Sequence, residues 1–113
     1  MHKCIVLVRT DLKMTKGKII SQVSHGIINN SFKVNKNKLI NWRENGEKIV
    51  TLKINNYQNM LNIYNKAINN NIISHIVIDQ GLTQVDTNTP TVCVLGPDKE
   101  KKFKDITSHL KLY

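Results

Sequence analysis

Val8-Arg9-Thr10-Asp11-Leu12-Lys13-Met14-Thr15-Lys16-Gly17-Lys18-Ile19-Ile20-Ser21-Gln22-Val23-Ser24-His25 is the stretch on which the fold turns. It reads as the end of a strand, a tight basic loop and the first turns of a helix. Just upstream, Lys3–Val8 (KCIVLV) is a nearly continuous apolar run, as in a strand covered on both faces. In the helix, Lys18, Gln22 and His25 stand at i, i+4 and i+7, which at roughly 100° per residue is one stripe. Ile19, Ile20, Val23 and Ile27 fall on the other side. The pattern predicts a helix over Thr15–Asn30 with an apolar face toward a core. Its basic, hydrogen-bonding face is free for an anionic ligand.

Working outward, the same strand–helix alternation continues. Asn35–Asn45 is a shorter helix candidate carrying Leu39, Ile40 and Trp42, with Gly46 to end it. Lys48–Ile54 (KIVTLKI) is a strand. Asn56–Asn70 is a clear helix, with Tyr57, Met60, Leu61, Tyr64, Ala67 and Ile68 recurring at three and four and asparagines at both ends as caps. Ile72–Asp79 (IISHIVID) and Thr91–Leu95 (TVCVL) are buried strands with no helix between them, so they form an antiparallel pair. Gly96-Pro97 closes the latter. Asp98 caps a last helix whose apolar stripe is Phe103, Ile106 and Leu110, with Lys99, Lys101, Lys102 and Lys104 as a solvated face. The expectation is one α/β domain over residues 1–113: three α/β/α layers around a mixed sheet of about four strands.

The 113 residues suffice for a core without disulfides. Lys and Arg number 17 against 8 Asp and Glu, a net charge of +9. That balance favours a polyanion, nucleic acid first, although many solvated lysines would give the same sum. Cys4 and Cys93 are too few and too far apart for a zinc motif or a disulfide framework, and each reads as a small buried hydrophobe. A reduced, cytoplasmic setting follows. No apolar run approaches the roughly 18 residues of a membrane span. The opening residues run directly into a strand, which leaves no room for a targeting segment.

Ligands of α/β sheets collect beyond the carboxyl ends of the strands. The Lys13–Lys18 loop and Asp79 should meet there, with Thr83 and Thr91 close by. A carboxylate among lysines stays ionised and can orient or deprotonate a water. A lysine can hold a phosphate or stabilise an oxyanion. Asp79 equally fits a turn acid capping the Asp-Gln-Gly bend, and spacing alone favours that reading. A Ser24-His25-Asp79 triad fails, because adjacent helical residues point roughly 100° apart. His2, His75 and His109 lack ligand spacing, so no metal site is expected. Lys16-Gly17-Lys18 lacks the upstream glycine of a P-loop.

Three blocks together resemble the type II peptidyl-tRNA hydrolases, the archaeal and eukaryotic kind. They are Val8–Met14 with Lys16-Gly17-Lys18, Gln22 and Ser24-His25; Asp79-Gln80-Gly81-Leu82-Thr83-Gln84-Val85 with Thr89, Thr91, Val92 and Gly96-Pro97; and His109-Leu110-Lys111-Leu112-Tyr113. The resemblance implies hydrolysis of the ester joining a peptide to the 3′-terminal ribose of tRNA. It also implies a compact α/β/α fold, no metal or cofactor, peptidyl-tRNA as partner, and frequent dimerisation. It places Lys18, Asp79, Thr83 and Thr91 in the catalytic site, with Gln22, His25 and Lys53 nearby for substrate binding; Lys13 and Lys16 of the basic loop are expected to bind the tRNA backbone. Three positions depart from the family pattern: Gln80 and Gly26, where alanine is usual, and Leu82, where a basic residue is frequent. A non-catalytic, basic RNA-binding or ribosome-associated protein is the rival expectation, and a protein–protein adaptor on the same scaffold is a further one. Neither requires Asp79.

Overall fold

A computed structural model describes residues 1–80 and 88–113. Its elements run β1 (His2–Arg9), α1 (Lys16–Ser31), α2 (Lys36–Glu44), β2 (Ile49–Ile54), α3 (Tyr57–Asn69), β3 (Ser74–Ile78) and β4 (Pro90–Lys99). A 3-10 turn at Glu100–Phe103 then leads into the single-turn α4 (Lys104–Thr107). The sheet order is β2-β1-β4-β3. β1 and β2 are parallel, while β4 is antiparallel to both β1 and β3. This is the mixed four-stranded α/β sheet expected from the pattern.

Strand alternation divides the core in two. Cys4, Val6, Val8, Val77, Val92 and Val94 face α1 and α2, where Met14 and Trp42 join them. Ile5, Leu7, Leu52, Ile54, Cys93 and Leu95 face the other way, against Met60, Ile63 and Ala67 of α3 and against Phe103 and Ile106. Cys4 and Cys93 are buried free thiols. Burial pushes both up to about 12.

Three expectations are corrected. Ile20, expected on the apolar face of α1, is 66% exposed, whereas Gln22, Gly26 and Asn30 are buried against the sheet. Asn30 explains part of this: its Nδ2 donates to Gly96 O at 2.6 Å and to Ile73 O at 3.0 Å. Gly26 explains more, because a Cβ there would stand 2.5 Å from Val94 Cγ2. The helix therefore beds on its smallest residue and its amides, with Ile19, Val23 and Ile27 packed alongside.

The second correction concerns β4, which continues through Gly96-Pro97 to Lys99. Gly96 sits at φ +85, a left-handed conformation that suits glycine. The third is that Asp98 is a strand residue and caps no helix. It is buried and accepts from Lys38 Nζ and Lys102 Nζ, both at 3.0 Å, so Lys102 is not part of a solvated face. Phe103, Ile106 and Leu110 still pack together against the core, through a 3-10 turn and a short helix in place of one longer helix.

The two sheet edges differ. Beside β2 lies the end of the chain: Lys53 N donates to Lys111 O at 2.9 Å, and Tyr113 N donates to Thr51 O at 3.0 Å. Beside β3 no described segment adds a further strand.

Candidate active site

β1, β2 and β3 run in one direction, so their carboxyl ends lie on one side of the sheet together with the start of β4. The β1–α1 loop rises from this side. Lys13 takes a left-handed φ of 52 there, and Thr15 Oγ1 accepts from Lys18 N at 3.3 Å to cap α1. Capping sets the first turn of the helix over the end of β3. Lys18 Nζ then forms an ion pair with Asp79 Oδ1. Their side chains are only 8% and 6% exposed. Asp79 N donates to Thr89 O at 2.9 Å, and Asn88 N donates to Asp79 O at 2.8 Å, which fixes the backbone that carries the carboxylate.

Beneath the pair, Gln22 Nε2 donates to Thr91 Oγ1 at 2.8 Å, and Thr91 Oγ1 lies 3.3 Å from Val77 O as its donor. Thr91 is completely buried and Gln22 is 3% exposed. The pair thus rests on a sealed polar strut that joins α1 to β4 and β3.

A cleft of about 570 Å³ opens over Lys18 and Asp79 and extends between α1 and β3. Ser21, His25 and Asn29 form its helix wall, and residues 75–80 form the strand wall. Ser21 Oγ lies 3.5 Å from His25 Nε2. At the far end, Lys33 Nζ donates to Ser74 O at 3.1 Å and lies 3.3 Å from His75 Nδ1. Burial, and then the Lys33 charge, lower the His75 pKa below its ordinary value.

The structure therefore brings Lys18, Asp79, Gln22, His25 and Thr91 together, with Thr91 under the cleft floor and not in its wall. Lys13, on the loop beside it, and Lys16, at the start of α1, are exposed. Lys53 stands apart. It is exposed on β2, at the opposite edge of the sheet, and lines a separate cleft of about 540 Å³ with Asn59, Lys66 and His109. Thr83 lies outside the described residues. Sequence reasoning overlooked Arg9, whose guanidinium grips both Asp11 oxygens, at 3.0 and 2.7 Å, and donates to Pro90 O at 2.8 Å. It locks the loop to the start of β4. An arginine two residues before an aspartate at the end of a strand is the available signal.

Among the described residues, no three His, Cys, Asp or Glu side chains gather as a metal ion would need. No described helix is long and apolar enough to cross a membrane.

The family model described as Peptidyl-tRNA hydrolase PTH2 matches residues 2–113. The chain belongs to this family. Among its relatives is the peptidyl-tRNA hydrolase of Methanocaldococcus jannaschii, 37% identical over 97% of this chain and 98% of the relative. That of Thermoplasma acidophilum is 37% identical over 99% and 98%. A protein of Dictyostelium discoideum named probable peptidyl-tRNA hydrolase 2 is 38% identical; the match covers 98% of this chain and 54% of that protein. Within the PTH2 family, then, this chain carries a lysine–aspartate pair at the carboxyl ends of its strands.

Proposed function

We propose that this chain hydrolyses the ester between a peptide and the 3′-terminal ribose of tRNA, releasing peptide and free tRNA. The observation that carries the reading to specific residues is the desolvated Lys18–Asp79 pair at the mouth of the cleft. Asp79 holds a water against the ester carbonyl carbon and draws its proton as the new C–O bond forms. An ammonium has three N–H donors, so Lys18 can keep Asp79 and still donate to the carbonyl oxygen as that oxygen becomes negative. Collapse of the tetrahedral species breaks the bond to the ribose oxygen, which takes the proton that Asp79 drew from the water, so the carboxylate is restored. Thr83 belongs to the same reading as a group that orients water or ribose. Gln22 and Thr91 act as positioning residues: they fix the floor on which the pair stands. Lys13 and Lys16 meet the phosphates nearest the 3′ end, and His25 meets the substrate within the cleft. Lys53 serves the same tRNA at the other sheet edge. Two buried free thiols suit a reducing cytosol. Residues 1–113 act as one domain, and dimerisation, implied by the family resemblance, is tested by sedimentation velocity.

The test is release of tRNA from N-blocked aminoacyl-tRNA, with unblocked aminoacyl-tRNA as control. Cleavage of the blocked substrate is expected. An Asp79→Ala protein that is folded by circular dichroism should turn over about 10²–10⁴-fold more slowly. Native turnover in that variant removes Asp79 from the chemistry. Tight tRNA binding without any turnover makes the chain a binding module.

A further inference from the structure

We infer that the open edge of β3 is the seat of the peptide moiety, held by main-chain hydrogen bonds without regard to its sequence. The inference deepens the hydrolase reading and rests on it.

In an antiparallel pair, alternate residues direct both N–H and C=O to the partner strand, and the residues between direct theirs away. Ile73 O accepts from Gly96 N at 2.8 Å, and Asp79 N donates to Thr89 O. Residues 73, 75, 77 and 79 therefore face β4. The irregularity between Val77 and Ile78 places its extra residue on β4, opposite an uninterrupted β3. Residues 74, 76 and 78 face outward. Ser74 O confirms the phase, since it accepts from Lys33 from outside the sheet. That leaves the N–H and C=O of Ile76 and of Ile78 as outward main-chain groups, with no described segment alongside.

Proteins normally cover or blunt such an edge. This chain covers β2 with its own last residues, whereas no described segment pairs with the edge that leads to Asp79. The residues from His75 to Gln80 line the cleft consecutively, which strand faces alone would not produce; the edge itself is presented. Outward groups on Ile76 and Ile78 lie about 6.6 Å apart along the strand, so they match a peptide of about three residues. Lys33 closes the run at Ser74.

Charge separates the two halves of the substrate. The exposed lysines Lys13 and Lys16 flank the helix start, where phosphates belong. Past Lys18 and Asp79, which offset each other, the cleft walls are Ser21, His25, Asn29, His75 and isoleucines. The ester carbonyl must reach the ion pair, so the peptide bonded to it has this wall beside it. Strand addition suits a substrate whose side chains vary and whose backbone does not. It also disfavours a bare aminoacyl ester, which brings an ammonium and no acyl carbonyl to the edge.

The experiment uses N-acetylated peptidyl-tRNAs of one to five alanines, alone and with single N-methylated amides. We expect kcat/KM to rise about three- to tenfold for each hydrogen bond gained and to level off near three residues. Methylation should be damaging at one amide and nearly silent at the next, the period-two signature of a strand edge. Ile76→Pro deletes an outward N–H while the bonds to β4 remain, a substitution that edge strands accept. The variant should lose the dependence on peptide length. Native rates independent of length, or methyl effects without alternation, overturn the inference, while cleavage of N-acetyl-alanyl-tRNA keeps the hydrolase reading intact. A dimer that Ile76→Pro dissociates, with length-independent cleavage, assigns the edge to a second copy. No cleavage of any substrate removes both readings. Should Ile76→Pro fail to fold, the substrate series decides alone.

Discussion

The side-chain amide of Gln22 donates to the hydroxyl of Thr91 at 2.8 Å, and solvent reaches almost nothing of either. The bond spans the interface between α1 and β4, one helical turn past Lys18. Thr91→Val should leave the Gln22 amide buried without its acceptor and cost about 1–3 kcal/mol of stability. Because Lys18 shares the helix face, kcat should fall while KM for tRNA changes little. Urea denaturation and steady-state kinetics on the same preparation check both; a variant of native stability and native kcat would falsify the strut.

Gly26 permits that interface to close. A Cβ at this position meets Val94 Cγ2 at 2.5 Å and Val77 Cγ2 at 3.0 Å. Gly26→Ala should destabilise by about 1–3 kcal/mol through overpacking, against a smaller gain in helix propensity. Adding Val94→Ala should recover part of the loss, because the added methyl then occupies vacated space. The four denaturation midpoints of this double-mutant cycle give the coupling directly, and additive effects would refute it.

Lys13 on the β1–α1 loop and Lys16 at the start of α1 are exposed beside the ion pair. If each neutralises one phosphate, Lys13→Gln and Lys16→Gln should each reduce the slope of log affinity against log salt by about 0.7–0.9. The effect should appear in KM and leave kcat nearly unchanged. Titrations of deacylated tRNA at several salt concentrations provide the slope.

Asp98 makes stability depend on acid. Burial pushes its carboxyl up, but Lys102, the Lys99 N–H and Lys38 together outweigh burial and hold the pKa below its ordinary value. The folded pKa is thus lower than the unfolded one. The contribution is complete above about pH 4 and disappears as pH falls through the folded value. Asp98→Asn should cost about 1–3 kcal/mol at neutral pH, with a deficit relative to the native chain that narrows below about pH 4. Denaturation at pH 7 and pH 3 tests the convergence.

Periodicity made the strands and the longer helices legible, because burial on both faces of a sheet leaves continuous apolar runs and α3 repeats at three and four. Asn56 and Thr15 marked helix starts through side chains that accept from the first-turn amides. The contact face of α1 was not legible. Ile20 looks like a core residue in one dimension; whether it is depends on the partners that Gln22 and Asn30 find on strands far along the chain. Lys18 and Asp79 could be placed at one end of the sheet from topology, but their pairing depends on the angle of α1, which Gly26 sets against Val94. From the sequence, Thr91 is expected among the catalytic groups, orienting Asp79, water or ribose. Its complete burial follows from a sheet register that spacing does not encode.

The division of the core by sheet face has a spectroscopic consequence. The chain has one tryptophan, Trp42. It is buried in the α1/α2 layer, where its indole N–H donates to Lys48 O at 2.8 Å. Tyr64 packs into the α3 layer. Excited selectively, the indole reports the melting of the layer that carries Lys18 and Gln22, whereas far-ultraviolet dichroism averages over both. Coincident transitions would mean that the two layers unfold as one unit; an earlier indole transition would mean that the layer carrying the candidate site loosens while the rest of the sheet still holds.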